Sequence, residues 1–149
     1  LDYAKQNNCE VLLPLDKGVA KDFARDAVRV NKDFMQIEDD EVIIDAGIET
    51  TKRDTDAIRK AKTVIWNGTV GMAEWMPVWS YGSFALANTI AEQTRAGKLE
   101  SIVGGGDTVA ALEACGVKGD ITYVSTGGGA FLEFIEGRVL PGIAILEDE

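Results

Sequence analysis

The residues best suited to chemistry in this 149-residue chain lie in two glycine runs, Gly104-Gly105-Gly106-Asp107-Thr108 and Ser125-Thr126-Gly127-Gly128-Gly129-Ala130. Each follows an apolar, β-branched stretch and opens a helix-like one. Glycine lets backbone approach a ligand closely, and a helix N-terminus offers unpaired N–H groups and the positive end of a dipole. Two such loops at neighbouring strand ends predict a crevice for phosphate. In the first, Gly105 and Gly106 present amides, Thr108 adds a hydroxyl, and Asp107 is a carboxylate suited to Mg²⁺ held beside substrate phosphates. Asp107 has a competing use as the N-cap of its helix, with the glycines serving only tight strand–helix packing. In the second run the amides of Gly127, Gly128 and Gly129 suit a phosphoryl group whose charge is in transit; the competing reading is a flexible turn. Between the first confident strand and the longest helix, Asn67 is placed to donate to a phosphate or ribose oxygen and Glu74 to accept from ribose hydroxyls. The plain alternative is a turn pair, Asn67-Gly68, followed by a solvated charge.

Composition removes several classes of function. The net charge of −10 argues against nucleic acid and against an anionic membrane as partner. The absence of histidine excludes Ser-His-Asp and Cys-His catalysis and His-ligated zinc within these residues. No apolar run approaches the ~20 residues of a membrane span, and no leader segment is read. Cys9 and Cys115 stand far apart, outside any C-x-x-C pattern, and read as core-packing thiols in a reducing cytoplasm. Trp75, Trp79 and Tyr81 read as core edge or domain contact, with base stacking as the competing use. Asp16, Asp26, Asp39 and Asp40 read as a solvated face, and no lysine or arginine stands out as a phosphate clamp. The chain opens on Leu1, which predicts that residues precede it.

The elements that must position these loops alternate. Strands are expected at 10–13, 42–44, 63–66, 101–103 and 121–124. Helices are expected at 50–60 with Thr50 or Thr51 as N-cap, at 83–96, at 107–115 with Gly116 just past its end, and at 130–136. The helix at 83–96 places Phe84, Ala87, Ile90 and Ala91 on one face. Residues 16–40 read as a surface excursion with a small antiparallel strand pair, and Pro141-Gly142 breaks the chain before a last apolar stretch at 143–146. Continuous apolar strands between helices predict an α/β fold: a three-layer, Rossmann-like domain with a mostly parallel sheet buried on both faces, here incomplete. Right-handed crossovers then bring the loops 67–74, 104–108 and 126–129 to one sheet edge.

These strings together resemble phosphoglycerate kinase. The match runs through Ala61-Lys62-Thr63-Val64-Ile65-Trp66-Asn67-Gly68, Gly71 with Glu74, both glycine runs and Leu140-Pro141-Gly142, with weaker agreement at Leu13-Pro14-Leu15-Asp16 and Asp45-Ala46-Gly47. Order and spacing agree over 11–146. Two departures stand out: Thr69 replaces the proline of the family's Asn-Gly-Pro, and Met72-Ala73-Glu74 replaces its Val-Phe-Glu. The resemblance implies that residues 1–149 are the later part of a nucleotide-binding α/β domain, with 143–149 returning toward a separate N-terminal domain that holds 3-phosphoglycerate. It implies ATP/ADP as substrate with Mg²⁺, held through Asn67, Glu74, Gly105, Gly106, Asp107 and Thr108. The amides of Gly127 to Gly129 would stabilise the moving phosphoryl group in a cytoplasmic glycolytic enzyme, monomeric at full length. The lysine that clamps phosphate and the arginine-rich 3-phosphoglycerate site would lie outside these residues, so the chain alone should be inactive. Two other readings compete. One is a non-catalytic nucleotide-binding or structural module of the same architecture. The other is a Rossmann-type oxidoreductase, opposed by the missing G-x-G-x-x-G.

Overall fold

The computed structural model describes residues 1–147. After a short helix α1 (Asp2–Gln6), strands β1 (Asp16–Ala20), β2 (Val30–Asp33) and β3 (Val42–Ala46) form one sheet in the order β2-β1-β3. Both pairings in it are antiparallel. Helix α2 (Ile48–Lys60) leads to β4 (Thr63–Asn67), and α3 (Tyr81–Arg95) to β5 (Glu100–Gly104). Helix α4 (Gly106–Ala114), β6 (Tyr123–Val124), α5 (Gly129–Ile135) and α6 (Pro141–Glu147) complete the order. The second sheet, β4-β5-β6, is wholly parallel. The fold is α/β, with the expected parallel sheet carrying both glycine loops. The antiparallel pair expected within 16–40 is β1 with β2, but the 42–44 strand joins that pair instead of the parallel sheet.

The main core lies on one face of the parallel sheet. Trp66 and Val103 point from it into α3 and α4, against Leu86, Ile90 and Leu112. Ile90, Val103 and Leu112 are at most 1 % exposed, and burying side chains of this size stabilises by about 1.5–3 kcal/mol each. Phe84 is only half-buried, and Leu86 takes the core position on α3. The opposite face differs from expectation. Ile65 and Tyr123 alternate away from the core, and both are exposed. Helices α5 and α6 cover that face loosely, leaving an apolar cleft of about 870 Å³ lined by Ile65, Ile102, Tyr123, Phe131 and Phe134. A second, smaller core joins Ala20, Ile44 and Trp79, so the core reading of the Trp75–Tyr81 segment holds for Trp79.

Several expectations need correction. Residues 10–13 form no strand; Val11, Leu12 and Leu13 are exposed, and no described strand pairs with them. The 121–124 strand shrinks to Tyr123–Val124, because a 3-10 turn at Lys118–Asp120 delays its entry. Cys9 is exposed and so packs nothing; Cys115 does pack against the core, and burial pushes its thiol up. Residues 141–147 are helical, because proline is well tolerated at a first helical position. Of the tail expected at 143–149, residues 148–149 lie outside the described residues.

The start of α2 overturns two expectations together. Its N-cap is Gly47, not Thr50 or Thr51. The capping oxygens come from Asp16 on β1, which accepts from Thr50 N at 2.7 Å and Glu49 N at 3.1 Å. A Cβ on Gly47 would overlap that carboxyl. The Thr50 hydroxyl answers by donating to Asp16 O and accepting from Asp16 N. Asp16 is therefore a structural cap rather than part of a solvated face. Burial pushes its carboxyl up, but the amides of Thr50, Glu49 and Ile48 and the Thr50 hydroxyl prevail and hold it below the usual carboxylate range.

Losing such a cap costs about 1 kcal/mol, so Asp16→Ala should show that loss in urea denaturation at neutral pH. A depressed carboxyl contributes stability that is complete above its unfolded value near ~4 and is lost as pH falls through the lowered folded value. The gap between wild type and Asp16→Ala should therefore narrow on acidification. A gap that stays constant to the lowest pH at which both fold would show that the carboxylate charge is not what holds the helix start.

Candidate functional site

The parallel register sets the site. Asn67, the last residue of β4, pairs with Gly104, the last of β5, so the loops that follow start side by side. The two loops are then tied together. Gly68 N donates to the buried Thr108 hydroxyl at 2.8 Å, and Trp66 Nε1 donates to Gly68 O at 2.8 Å. The Asn67 amide leans over the glycine loop, where a Cβ on Gly105 would sit 3.1 Å from Asn67 Oδ1. Gly105 also has φ 90°, a backbone state that L side chains rarely adopt. It is the N-cap of α4 and carries no capping side chain.

Asp107 is thus not the N-cap. It stands in the first turn of α4, exposed, without a capping hydrogen bond. Gly106 beside it has open space where a Cβ would be. Asp107 shares a cleft of about 420 Å³ with Glu74, Ala73, Met76 and the α4 residues Ala110, Ala111 and Ala114. The cleft wall is apolar and small, and its ionisable groups are two carboxylates with no lysine or arginine. Such a wall suits a flat or hydroxylated group, or a ligand that brings its own cation, better than a bare anion.

The second glycine loop belongs to the same edge. Ser125 N donates to Val103 O at 2.7 Å, carrying β6 on to the end of β5. Ser125 Oγ accepts from Gly127 N at 3.2 Å, which commits that amide within the loop. Gly128 and Gly129 are exposed with open space around them. Phe131 of α5 packs its ring over Gly104, joining the two glycine loops. The three loops expected to converge therefore do so. Among the described residues no group of three or more metal-ligating side chains occurs.

Sequence reasoning missed how the Glu74 loop is held. Asp45 at the end of β3 is buried, and its carboxylate accepts from Gly82 N at 3.2 Å and Ala46 N at 2.8 Å. Arg29 meets it at 2.6 Å. The only trace in the sequence is a strand ending Asp45-Ala46-Gly47 before a helix, and nothing near Arg29 marks it out.

The family model described as Phosphoglycerate kinase matches residues 1–138. A phosphoglycerate kinase of Xanthobacter autotrophicus is 47 % identical over 146 residues, which is 98 % of this chain and 37 % of that relative. One of Rhodopseudomonas palustris is 46 % identical, covering 99 % of the chain and 37 % of the relative. The solved phosphoglycerate kinase of Coxiella burnetii superposes with a TM-score of 0.89 at 40 % identity, over 98 % of this chain and 36 % of its own. That of Pyrococcus horikoshii gives 0.73 at 30 % identity, over 90 % and 32 %. The chain thus spans a little over a third of the length of these curated relatives, and by sequence and fold alike it belongs to the phosphoglycerate kinase family.

Proposed function

We propose that this chain supplies part of the nucleotide side of a phosphoglycerate kinase, which exchanges a phosphoryl group between 1,3-bisphosphoglycerate plus ADP and 3-phosphoglycerate plus ATP. The observation that carries this reading is the cleft shared by Glu74 and Asp107, opening beside a helix start that no side chain caps. In this reading Glu74 accepts from the ribose hydroxyls and Asn67 lies beside the nucleotide. Gly105, Gly106 and Thr108 shape the phosphate loop, Thr108 from within by holding Gly68. Asp107 would hold the Mg²⁺ that accompanies the nucleotide, and that ion would supply neutralisation of the phosphate charge. The amides of Gly128 and Gly129 face the phosphoryl group in transit, while that of Gly127 is held by Ser125 Oγ and shapes the loop.

The chemistry needs little more from these residues. A terminal phosphate oxygen of ADP attacks the acyl phosphate; the new P–O bond forms as the bond to the carboxyl oxygen breaks, and 3-phosphoglycerate leaves as a carboxylate. The attacking oxygen is already ionised, so no general base is required and a chain without histidine is adequate. Positioning and electrostatic stabilisation dominate such transfers. The 3-phosphoglycerate site belongs to a separate domain, in a cytoplasmic enzyme that is monomeric at full length. No helix among the described residues is long and apolar enough to cross a membrane.

Three measurements test this reading. The chain alone should show no 3-phosphoglycerate-dependent ATP consumption in a coupled assay; turnover free of contaminating enzyme would mean the site is complete without the other domain. In the full-length protein, Glu74→Ala should weaken ADP binding by roughly 1–2 kcal/mol, the scale of a hydrogen bond to a charged group. The saturated single-turnover rate should barely move, and a large fall in that rate at unchanged affinity would reverse the assignment. Asp107→Asn should keep its melting temperature within a few degrees, since the residue makes no capping bond. Its Mg-nucleotide turnover should fall at least about tenfold, with partial recovery at high Mg²⁺. Normal turnover at low Mg²⁺ would remove Asp107 from the metal site.

A further inference from the structure

Glu74 sits mid-loop, exposed, and nothing in its own side chain fixes its position. The loop is instead pinned to the antiparallel sheet on both sides of it. On the near side, Met72 N donates to Ile44 O at 3.2 Å, and Gly71 packs so tightly on Asp45 that no Cβ would fit. Val70 N donates to Ser83 Oγ at 3.1 Å, tying the loop start to α3. On the far side Trp79 packs with Ala20 and Ile44, and one residue makes the polar attachment. Arg29 Nη1 donates to Asp45 Oδ2 at 2.6 Å and to Val78 O at 2.8 Å, while Nη2 donates to Ala46 O at 2.7 Å. Its guanidinium carbon also lies 5.7 Å from the Trp79 ring centre and 5.4 Å from that of Tyr81. One side chain therefore grips the loop beyond Glu74, the end of β3 and, through Asp45, the amide of Gly82 at the start of α3.

We infer that Arg29 is a positioning residue for the nucleotide site: it holds the loop through residues 71–78 against β3 and so sets where Glu74 stands relative to Asp107. This rests on the reading of Glu74 as the ribose-binding carboxylate. The planar fork is what makes the role possible, because it directs several N–H donors at separate acceptors at once. A lysine ammonium is a compact point charge on a flexible stem. Arg29→Lys keeps the charge beside Asp45 but gives up the simultaneous hold on Val78 O and Ala46 O.

The test is a double-mutant cycle in the full-length kinase, with ADP affinity by titration and steady-state kinetics on the same samples. Arg29→Lys should raise the ADP Kd roughly three- to tenfold, the range over which residues without ligand contact act on a site. The 3-phosphoglycerate KM and the saturated kcat should stay within about twofold. In the Glu74→Ala background the same substitution should have little further effect on Kd. Arg29→Gln leaves Asp45 buried without its cation and should weaken ADP binding more; if that variant does not fold, Arg29→Lys carries the test. An unchanged ADP Kd in Arg29→Lys, or an effect of equal size with and without Glu74, overturns the positioning role while leaving the ribose assignment standing. An unchanged Kd in Glu74→Ala alone removes the ribose assignment and this inference together.

Discussion

The carboxylate of Asp45 is out of water at the end of β3, and a substantial part of the molecule is arranged to satisfy it. Burial pushes its carboxyl up, and the Arg29 guanidinium together with the Gly82 and Ala46 amides opposes that push. Arg29 is itself only 12 % exposed, so neither charge can fall back on solvent. Removing one member of such a pair leaves an uncompensated charge, at a cost of about 3–5 kcal/mol. That sensitivity connects the antiparallel sheet to the start of α3 and to the loop that leads into it from β4. The parallel sheet carries the glycine loops, whereas the loop that bears Glu74 is attached to the other sheet.

Helix starts in this fold fall into two groups. Helix α2 begins on the Asp16 carboxylate and α3 receives that of Asp45, both delivered by strands of the antiparallel sheet. These ends are closed, their exposed amides already matched by anionic oxygen. Helices α4 and α5, at the ends of β5 and β6, have no capping side chain. Leaving N–H groups without a partner forgoes stabilisation that a serine or aspartate would provide. The fold forgoes that stabilisation at the edge where the glycine loops converge, whereas at α2 and α3 Asp16 and Asp45 supply it.

What could be read in advance was local. Ser101-Ile102-Val103 before three glycines, and the apolar spacing of Ala87, Ile90 and Ala91, announce a strand, a loop and a helix within a few neighbouring residues. Convergence of the three loops then followed from the handedness of crossovers. Several misreadings were long-range. Asp16 looked solvated because its partner Thr50 lies 34 positions away, and Asp45 reaches Gly82 across 37. Val42-Ile43-Ile44 has the composition of a parallel strand, but only its pairing with β1 decides its direction. Asp107 could have been a cap by type and position. What excluded it was the backbone of Gly105, which took the cap position and left Asp107 two positions into the helix.

The fit between Gly47 and Asp16 constrains how this corner of the molecule can change by mutation. Helix α2 admits two ways of closing its first turn: an oxygen from residue 47 itself, or one reaching across from residue 16. A side chain at 47 would occupy the space that the Asp16 carboxyl fills, so the two solutions exclude each other. Replacing Gly47 first produces a collision; shortening Asp16 first produces an open turn, about 1 kcal/mol less stable. Neither single step is neutral, and the pair of positions can change only together.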